Sequence, residues 1–176
     1  MTIPIEMPVT AVVEFENLMR SHERRILRLA IRLTGNLADA QDAAQEVFMR
    51  LHRHLASLPD ENSVERWLHR VTVNVCFDMG RRMKSSRRVP IDGLARSLAS
   101  VYPSAETLAS RREGEERIAA ALRHLGKRER AALVLRDLEG LTTAEVAETL
   151  GSTESTVRVQ ISKARLKLRE LLKELQ

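Results

Sequence analysis

Between Thr156 and Arg165 six side chains, Thr156, Arg158, Val159, Ser162, Lys163 and Arg165, have the types and spacing to read base edges in a DNA major groove. An arginine can grip guanine O6 and N7 with two bonds at once, worth about 1–3 kcal/mol of discrimination, and Val159 offers an apolar contact to a thymine methyl. Lys167, Arg169 and Lys173 lie farther along and are read as backbone contacts at most. A second set is acidic. Asp39, Asp42 and Glu46 fall at i, i+3 and i+7 with Gln45 beside them, so on a helix they share one face. Such a face is by itself only solvated; opposite a basic partner it supplies complementary potential. A third set is basic: Arg70, Arg81, Arg82 and Lys84, with Asn74 among them and Arg87 and Arg88 just beyond. Those cations exceed what a helix end needs to offset its dipole. They read as phosphate contacts, which position a protein without carrying sequence information.

Helices must hold these groups. Leu141 to Leu150 is a short amphipathic helix, with Thr142 placed to cap it and Glu145 three residues on to complete a capping box. Gly151 closes it without steric cost, and Ser152 and Thr153 offer hydroxyls to cap the next helix. That helix runs from Glu154 to about Glu174, with Val157, Ile161, Ala164, Leu168, Leu171 and Leu175 on one face and the cations on the other. A short helix, a glycine turn and a basic second helix form a helix-turn-helix, which puts side chains into a major groove. Upstream, helices are expected over Ala11–Leu33, ended by Thr34-Gly35-Asn36, over Ala38–Leu55, and from Ser63 to Met83 after a Ser57–Asn62 loop that contains Pro59. Phe48 and Trp67 are read as core. Residues Lys84–Pro103 show no sustained period and read as a linker; Ser104–His124 and Lys127–Leu138 then resume as helices, ended by Glu139-Gly140. The fold class is all-α: two small helical domains joined by a flexible linker.

Composition agrees. The 176 residues include 3% aromatics, and Leu, Ala, Arg and Glu dominate, as in helical proteins. The net charge of +5 with 24 acidic residues points to a polyanionic partner, with placement mattering more than the sum. Cys76 is the only cysteine, so no internal disulfide is possible, and a reducing compartment fits. The first ten residues lack the pattern of a secretory signal, and no run approaches a membrane span. A cytoplasmic protein without membrane insertion is expected. Metal and catalytic readings fail on spacing. His52 and His54 are two apart on a helix and diverge, no ligand set completes His69 and Cys76, and neither a phosphate loop nor a nucleophile elbow is present. No enzyme, no cofactor, no metal and no small-molecule substrate are expected.

Three motifs in order then carry a resemblance. Asp39-Ala40-Gln41-Asp42-Ala43-Ala44-Gln45-Glu46-Val47-Phe48-Met49-Arg50-Leu51 resembles the core-binding helix of bacterial RNA polymerase sigma factors. Trp67-Leu68-His69-Arg70-Val71-Thr72-Val73-Asn74, with Asp78 and Arg81-Arg82, resembles the segment that reads the promoter −10 element. Leu125–Leu171, including Leu135-Arg136-Asp137-Leu138-Glu139-Gly140-Leu141 and Thr156-Val157-Arg158, resembles the domain that reads the −35 element. A chain with only these two modules is similar to the extracytoplasmic-function (ECF) group.

The resemblance implies a division into residues 1–86 (region 2), 87–103 (linker) and 104–176 (region 4), and it implies roles. Asp39, Asp42, Gln45, Glu46 and Arg50 would face core RNA polymerase. Leu58, Asp60, Glu61, Asn62, Ser63 and Asn74 would line a pocket for a flipped −10 base, with Arg70, Arg81 and Arg82 on the DNA backbone. Thr156, Arg158, Val159, Ser162, Lys163 and Arg165 would read −35 DNA. The family often has aromatics where this chain has Leu58 and Val64, which implies weaker stacking, and Ser-Arg where it has Val159-Gln160, which implies a different −35 sequence. An anti-sigma factor is a further implied partner. The linker, about 17 residues, reaches roughly 60 Å when extended; promoter elements roughly 17 base pairs apart lie about 58 Å from one another at about 3.4 Å per step. Two other functions fit less well. A dimeric regulator would bind a palindrome and ignore polymerase, and the acidic triplet and long linker oppose it. A sigma mimic that only captures an anti-sigma factor should lack groove-facing cations, which Arg158, Lys163 and Arg165 supply.

Overall fold

The computed structural model describes residues 9–82 and 118–174. Every regular element among them is helical: α1 (Val9–Thr34), α2 (Leu37–His54), α3 (Glu61–Arg82), α4 (residues 118–123), α5 (Lys127–Leu133), α6 (Thr143–Leu150) and α7 (Glu154–Glu174). The expected linker at 87–103, and most of the helix expected from Ser104, lie outside the described residues.

The first three helices pack on one another because each carries an apolar stripe at helical spacing. Ile26, Leu29, Ala30 and Leu33 of α1 meet Ala40, Ala43, Val47 and Leu51 of α2, and all are buried. The alanines of α2 let its backbone come close to α1, and Phe48 is core as expected, 8% exposed. Gly35 breaks α1 from α2 with φ +73°, a conformation that costs glycine little. Asn36 caps α2 by accepting from the Ala38 amide at 2.9 Å. After α2 a single 3-10 turn, Leu55–Ser57, leads into the loop at Leu58 and Pro59.

The third helix starts earlier than expected. Asp60 accepts from the Ser63 amide through its carboxylate at 2.7 Å, and its carbonyl accepts from Val64 at 3.0 Å. A cap at Asp60 makes Glu61 and Asn62 the first helical residues, not loop. The buried surface of α3 is wider than a single stripe: Val64, Leu68 and Val75 are buried, and so are His69, Thr72, Val73 and Cys76. A helix buried on more than one side has more than one neighbour, and α3 packs on α1, α2 and α6. Trp67 is half-buried against the core, its ring 5.7 Å from that of His54.

The second group contributes Ala131, Val134, Leu135, Val146, Leu150, Val157, Ile161 and Ala164, all buried and part of one cluster with the core of the first three helices. The expected single helix 127–138 is instead α5 followed by a π-helical turn, Val134–Leu138, in which Glu139 donates to the Val134 carbonyl at 3.0 Å. The extra residue in that turn changes the direction in which its last side chains point. Leu138 is therefore 40% exposed, and Glu139 swings inward; Ile118 is 38% exposed. The turn between α6 and α7 forms as read. Thr142 and Glu145 complete the capping box, Gly151 stands at φ +57°, and Thr153 accepts from the Thr156 amide at 3.2 Å.

Candidate nucleic-acid interface

The α7 candidates divide between two stripes. Arg158, Ser162 and Arg165 line one shallow concavity of about 600 Å³ with Arg136, Thr143, Ile161, Leu166 and Arg169. Arg158, Ser162, Arg165 and Arg169 recur at three- and four-residue steps, so a single strip of helix presents three guanidiniums and a hydroxyl. Arg136 and Arg169 belong to this surface although neither was singled out for the groove; a fold-dependent neighbour such as Arg136 has no signal in periodicity. Val159, 53% exposed, and Lys163 lie one residue around the helix. Thr156 sits at the N-terminus, its hydroxyl 2.9 Å from that of Thr153.

Two of these cations have partners within the chain. Arg165 holds Asp137 in a fork, Nη2 to Oδ1 at 2.6 Å and Nε to Oδ2 at 2.9 Å. The carboxylate of Asp137 raises the Arg165 pKa in turn. Arg158 donates to Glu154 one turn back at 2.6 Å. Both pairs are largely exposed and therefore weak, within about 1 kcal/mol, so a phosphate can compete for either arginine.

At the start of α3, Leu58, Asp60 and Glu61 line a pocket of about 580 Å³ with Leu55, Pro59, Val64 and, from α1, Glu14, Asn17, Leu18 and Ser21. Apolar and polar side chains both line it, at a size suited to a planar ring. The Ser63 amide, then its hydroxyl, hold the Asp60 carboxyl below the usual carboxylate range. Asn62, Ser63 and Asn74 do not line this pocket. Asn74 is exposed eleven residues past Ser63, about 16 Å along the helix. Asn62 and Arg70 instead face a different cleft, shared with the second helical group. Arg81 and Arg82 end α3 as its last residues.

On α2, Asp42 and Gln45 are exposed and Asp39 and Glu46 half-buried, all on one side. Burial, then the charge of Asp42, push the Asp39 pKa up, so the face is held at some electrostatic cost and favours a cation brought to it. Arg50 leans back to Glu46 at 2.7 Å. Beside Gln45 an apolar groove of about 730 Å³ runs between α1 and α2, lined by Phe15, Met19, Leu27, Ala44, Phe48 and Met49. Met49, 51% exposed, is its open edge. Spacing marks the acidic face and not this groove, because Phe15 belongs to the ordinary apolar stripe of α1.

Comparison with known proteins converges on one family. Residues 18–87 match the model of sigma-70 region 2 and residues 115–168 that of sigma-70 region 4. The chain is 38% identical over 161 residues to the ECF RNA polymerase sigma factor SigM of Mycobacterium tuberculosis, an alignment covering 90% of this chain and 76% of that one. It is 36% identical over 162 residues to the ECF sigma factor SigE of Mycolicibacterium smegmatis, covering 92% and 63%. Among solved structures the fold is similar to the sigma factor RpoE bound to the anti-sigma factor NepR from Bartonella quintana, with TM-score 0.67, 21% identity and 91% and 97% coverage. It is likewise similar to CnrH bound to the cytosolic domain of CnrY, with TM-score 0.64, 24% identity and 91% and 88% coverage. The chain belongs to the ECF RNA polymerase sigma factors.

Proposed function

We propose that residues 1–86 bind core RNA polymerase and read the −10 element, that 104–176 read the −35 element, and that 87–103 span between them. Asp39, Asp42, Gln45, Glu46 and Arg50 would dock on polymerase, with the Phe15–Met49 groove extending that face. Acidic groups around an apolar contact set orientation and association rate while the apolar surface supplies affinity. The pocket of Leu58, Asp60 and Glu61 would accept an unpaired base. Leu58 offers a face but no aromatic ring, so trapping rests on shape and burial more than on stacking. Arg158, Ser162 and Arg165 would enter the −35 major groove, with Arg136 and Arg169 at its phosphates.

What carries this reading is the coincidence of region 2 and region 4 matches, in that order, with the helices that bear the acidic face and the arginine strip. The protein would do no bond chemistry of its own and would act in the cytoplasm, where polymerase is. No helix among the described residues is long and apolar enough to cross a membrane. Control by an anti-sigma factor is proposed on the resemblance to sigma factors solved with such partners. Purified core polymerase mixed with the chain and a library of random promoter fragments tests the whole: transcripts should share paired upstream elements, and an unenriched pool would sink the proposal.

A further inference from the structure

Two side chains of α7 are large, apolar and open to solvent. Val159 is 53% exposed and Leu166 is 55% exposed, on a helix whose other exposed positions carry hydroxyls or charges. Neither joins the core that Val157, Ile161 and Ala164 enter. At 3.6 residues per turn, a step of two residues turns the helix by about 200°. Val159 follows the buried Val157 by two, and Leu166 follows the buried Ala164 by two, so both point away from the core. Ser155, Val159, Ser162 and Leu166 recur at steps of four, three and four, and they make one ridge along the crest of α7.

The arginines stand lower. Arg158 and Arg165 follow Val157 and Ala164 by one residue, about 100° round, on the flank of that ridge. There each meets a carboxylate at 2.6 Å, Arg158 that of Glu154 and Arg165 that of Asp137. Leu166 borders the shallow surface that Arg136, Arg158, Arg165 and Arg169 share. The crest is therefore apolar and hydroxylic, with the cations beside it.

A duplex drawn to those cations presents its base edges to the crest. In the major groove the edges offer hydrogen-bond donors and acceptors and a single apolar group, the C5-methyl of thymine. Valine or leucine pressed on a donor or acceptor strips its water and gives no partner, which costs free energy. Pressed on the methyl, the same side chain gains apolar burial. We propose that Val159 and Leu166 are specificity-determining residues that select thymine through its methyl, against cytosine at the same position, with the flanking arginines supplying attraction. That α7 meets duplex DNA rests on the function proposed above. Seven residues, roughly 10 Å of helix, separate the two, so they read different base pairs.

The test removes methyl groups without altering base pairing. A random-sequence duplex library is selected on the full chain bound to core RNA polymerase. The enriched duplex is then remade with uracil at each thymine of its upstream element in turn. One buried methyl is worth about fourfold in affinity. At least one uracil replacement should weaken the parent by about that factor and leave Val159→Ala or Leu166→Ala, whichever lacks the facing side chain, unmoved. Arg169→Gln should instead weaken thymine and uracil duplexes alike and flatten the salt dependence. A parent indifferent to every uracil replacement overturns the proposal, as does a Val159→Ala/Leu166→Ala chain that keeps the parent's preference for thymine. If that double variant loses polymerase while thymine preference stays, the crest is a protein contact and the proposal falls. A library that never enriches overturns the −35 reading itself, and the methyl readout with it.

Discussion

Arg130 and Leu33 sit 97 positions apart, and the Arg130 guanidinium donates to the Leu33 carbonyl over 2.8 Å, satisfying a backbone acceptor at the end of a helix it does not belong to. The same side chain donates to the Arg123 and Leu125 carbonyls at 3.3 Å. Burial, then the nearby Arg123 charge, lower its pKa, so the site holds a cation at a cost that three acceptors offset.

Removing that side chain should therefore destabilise both helical groups at once. Arg130→Ala is expected to cost about 2 kcal/mol, because buried carbonyls lose a charged donor. Arg130→Lys should recover little, since an ammonium cannot fork to three acceptors in fixed geometry. Urea denaturation checks both; a lysine variant as stable as the parent would mean that the charge matters and the fork does not.

Gly151 and Gly35 separate backbone strain from crowding. Both have positive φ, but a Cβ at Gly151 meets nothing within 4 Å whereas at Gly35 it lands 3.0 Å from Arg123 Cγ. Gly151→Ala should cost about 1 kcal/mol, from the left-handed conformation alone. Gly35→Ala should cost more, since the Arg123 side chain must move as well. Thermal melts of the two variants decide it, and equal losses would show that Arg123 yields freely.

Acid should weaken the fold in a defined window. The Glu139 carboxyl is held below its ordinary 4.5: burial is the largest influence and would raise it, but His69, Arg25 and Arg32 together outweigh burial. Glu129 is lowered chiefly by its hydrogen bond from Lys167, and Glu145 by the Thr142 amide. Depressed carboxylates contribute their stability in full above the unfolded value and lose it as pH falls through the folded one. The urea midpoint should hold from neutral pH down to about 5 and then drop toward about pH 3. Glu139→Gln should start lower and fall less steeply. A midpoint that rises on acidification contradicts this assignment.

Under the proposed −35 reading, Asp137 would compete with DNA for Arg165. Breaking the fork with Asp137→Asn would free the guanidinium and remove a negative charge from the arginine strip of α7. An exposed pair is worth at most about 1 kcal/mol, so duplex affinity should rise by up to about fivefold, and Arg165→Ala should lower it. Anisotropy on duplex DNA reads both. Weaker binding by Asp137→Asn would mean that the carboxylate orients Arg165 for its contact instead of withholding it.

Local rules carried far along this chain. The Thr142–Glu145 box, the Gly151 turn, the α7 core stripe and the Phe48 position all depend on residues a few places apart, and they form as the spacing implies. What spacing could not reveal is pairing across the chain. Glu139 read as part of a helix stop, because the π-helical turn that redirects it has no pattern of its own. His69, Thr72 and Val73 of α3 are buried, and α3 packs on α6 as well as on α1 and α2, a neighbour that no local spacing predicts. Asp60 was within reach of sequence reasoning: Asp three residues before Ser63 is a capping arrangement, and Pro59 drew attention to the loop instead. Of the cavity at the start of α3, Leu58, Asp60 and Glu61 are close together in sequence, while its α1 wall of Asn17, Leu18 and Ser21 comes only from the packing of α1 on α3.

The most direct test of the central claim is capture of core RNA polymerase by the full chain, compared with Asp39→Lys/Asp42→Lys. These positions lie on the half-buried to exposed side of α2, and Asp42 makes none of the fold's buried contacts, so circular dichroism should show the helices intact. Stoichiometric binding by the parent and loss of it in the charge-reversed variant is the predicted result. Polymerase binding that survives both reversals would contradict the assignment of this face, and a parent that never binds polymerase would contradict the account as a whole.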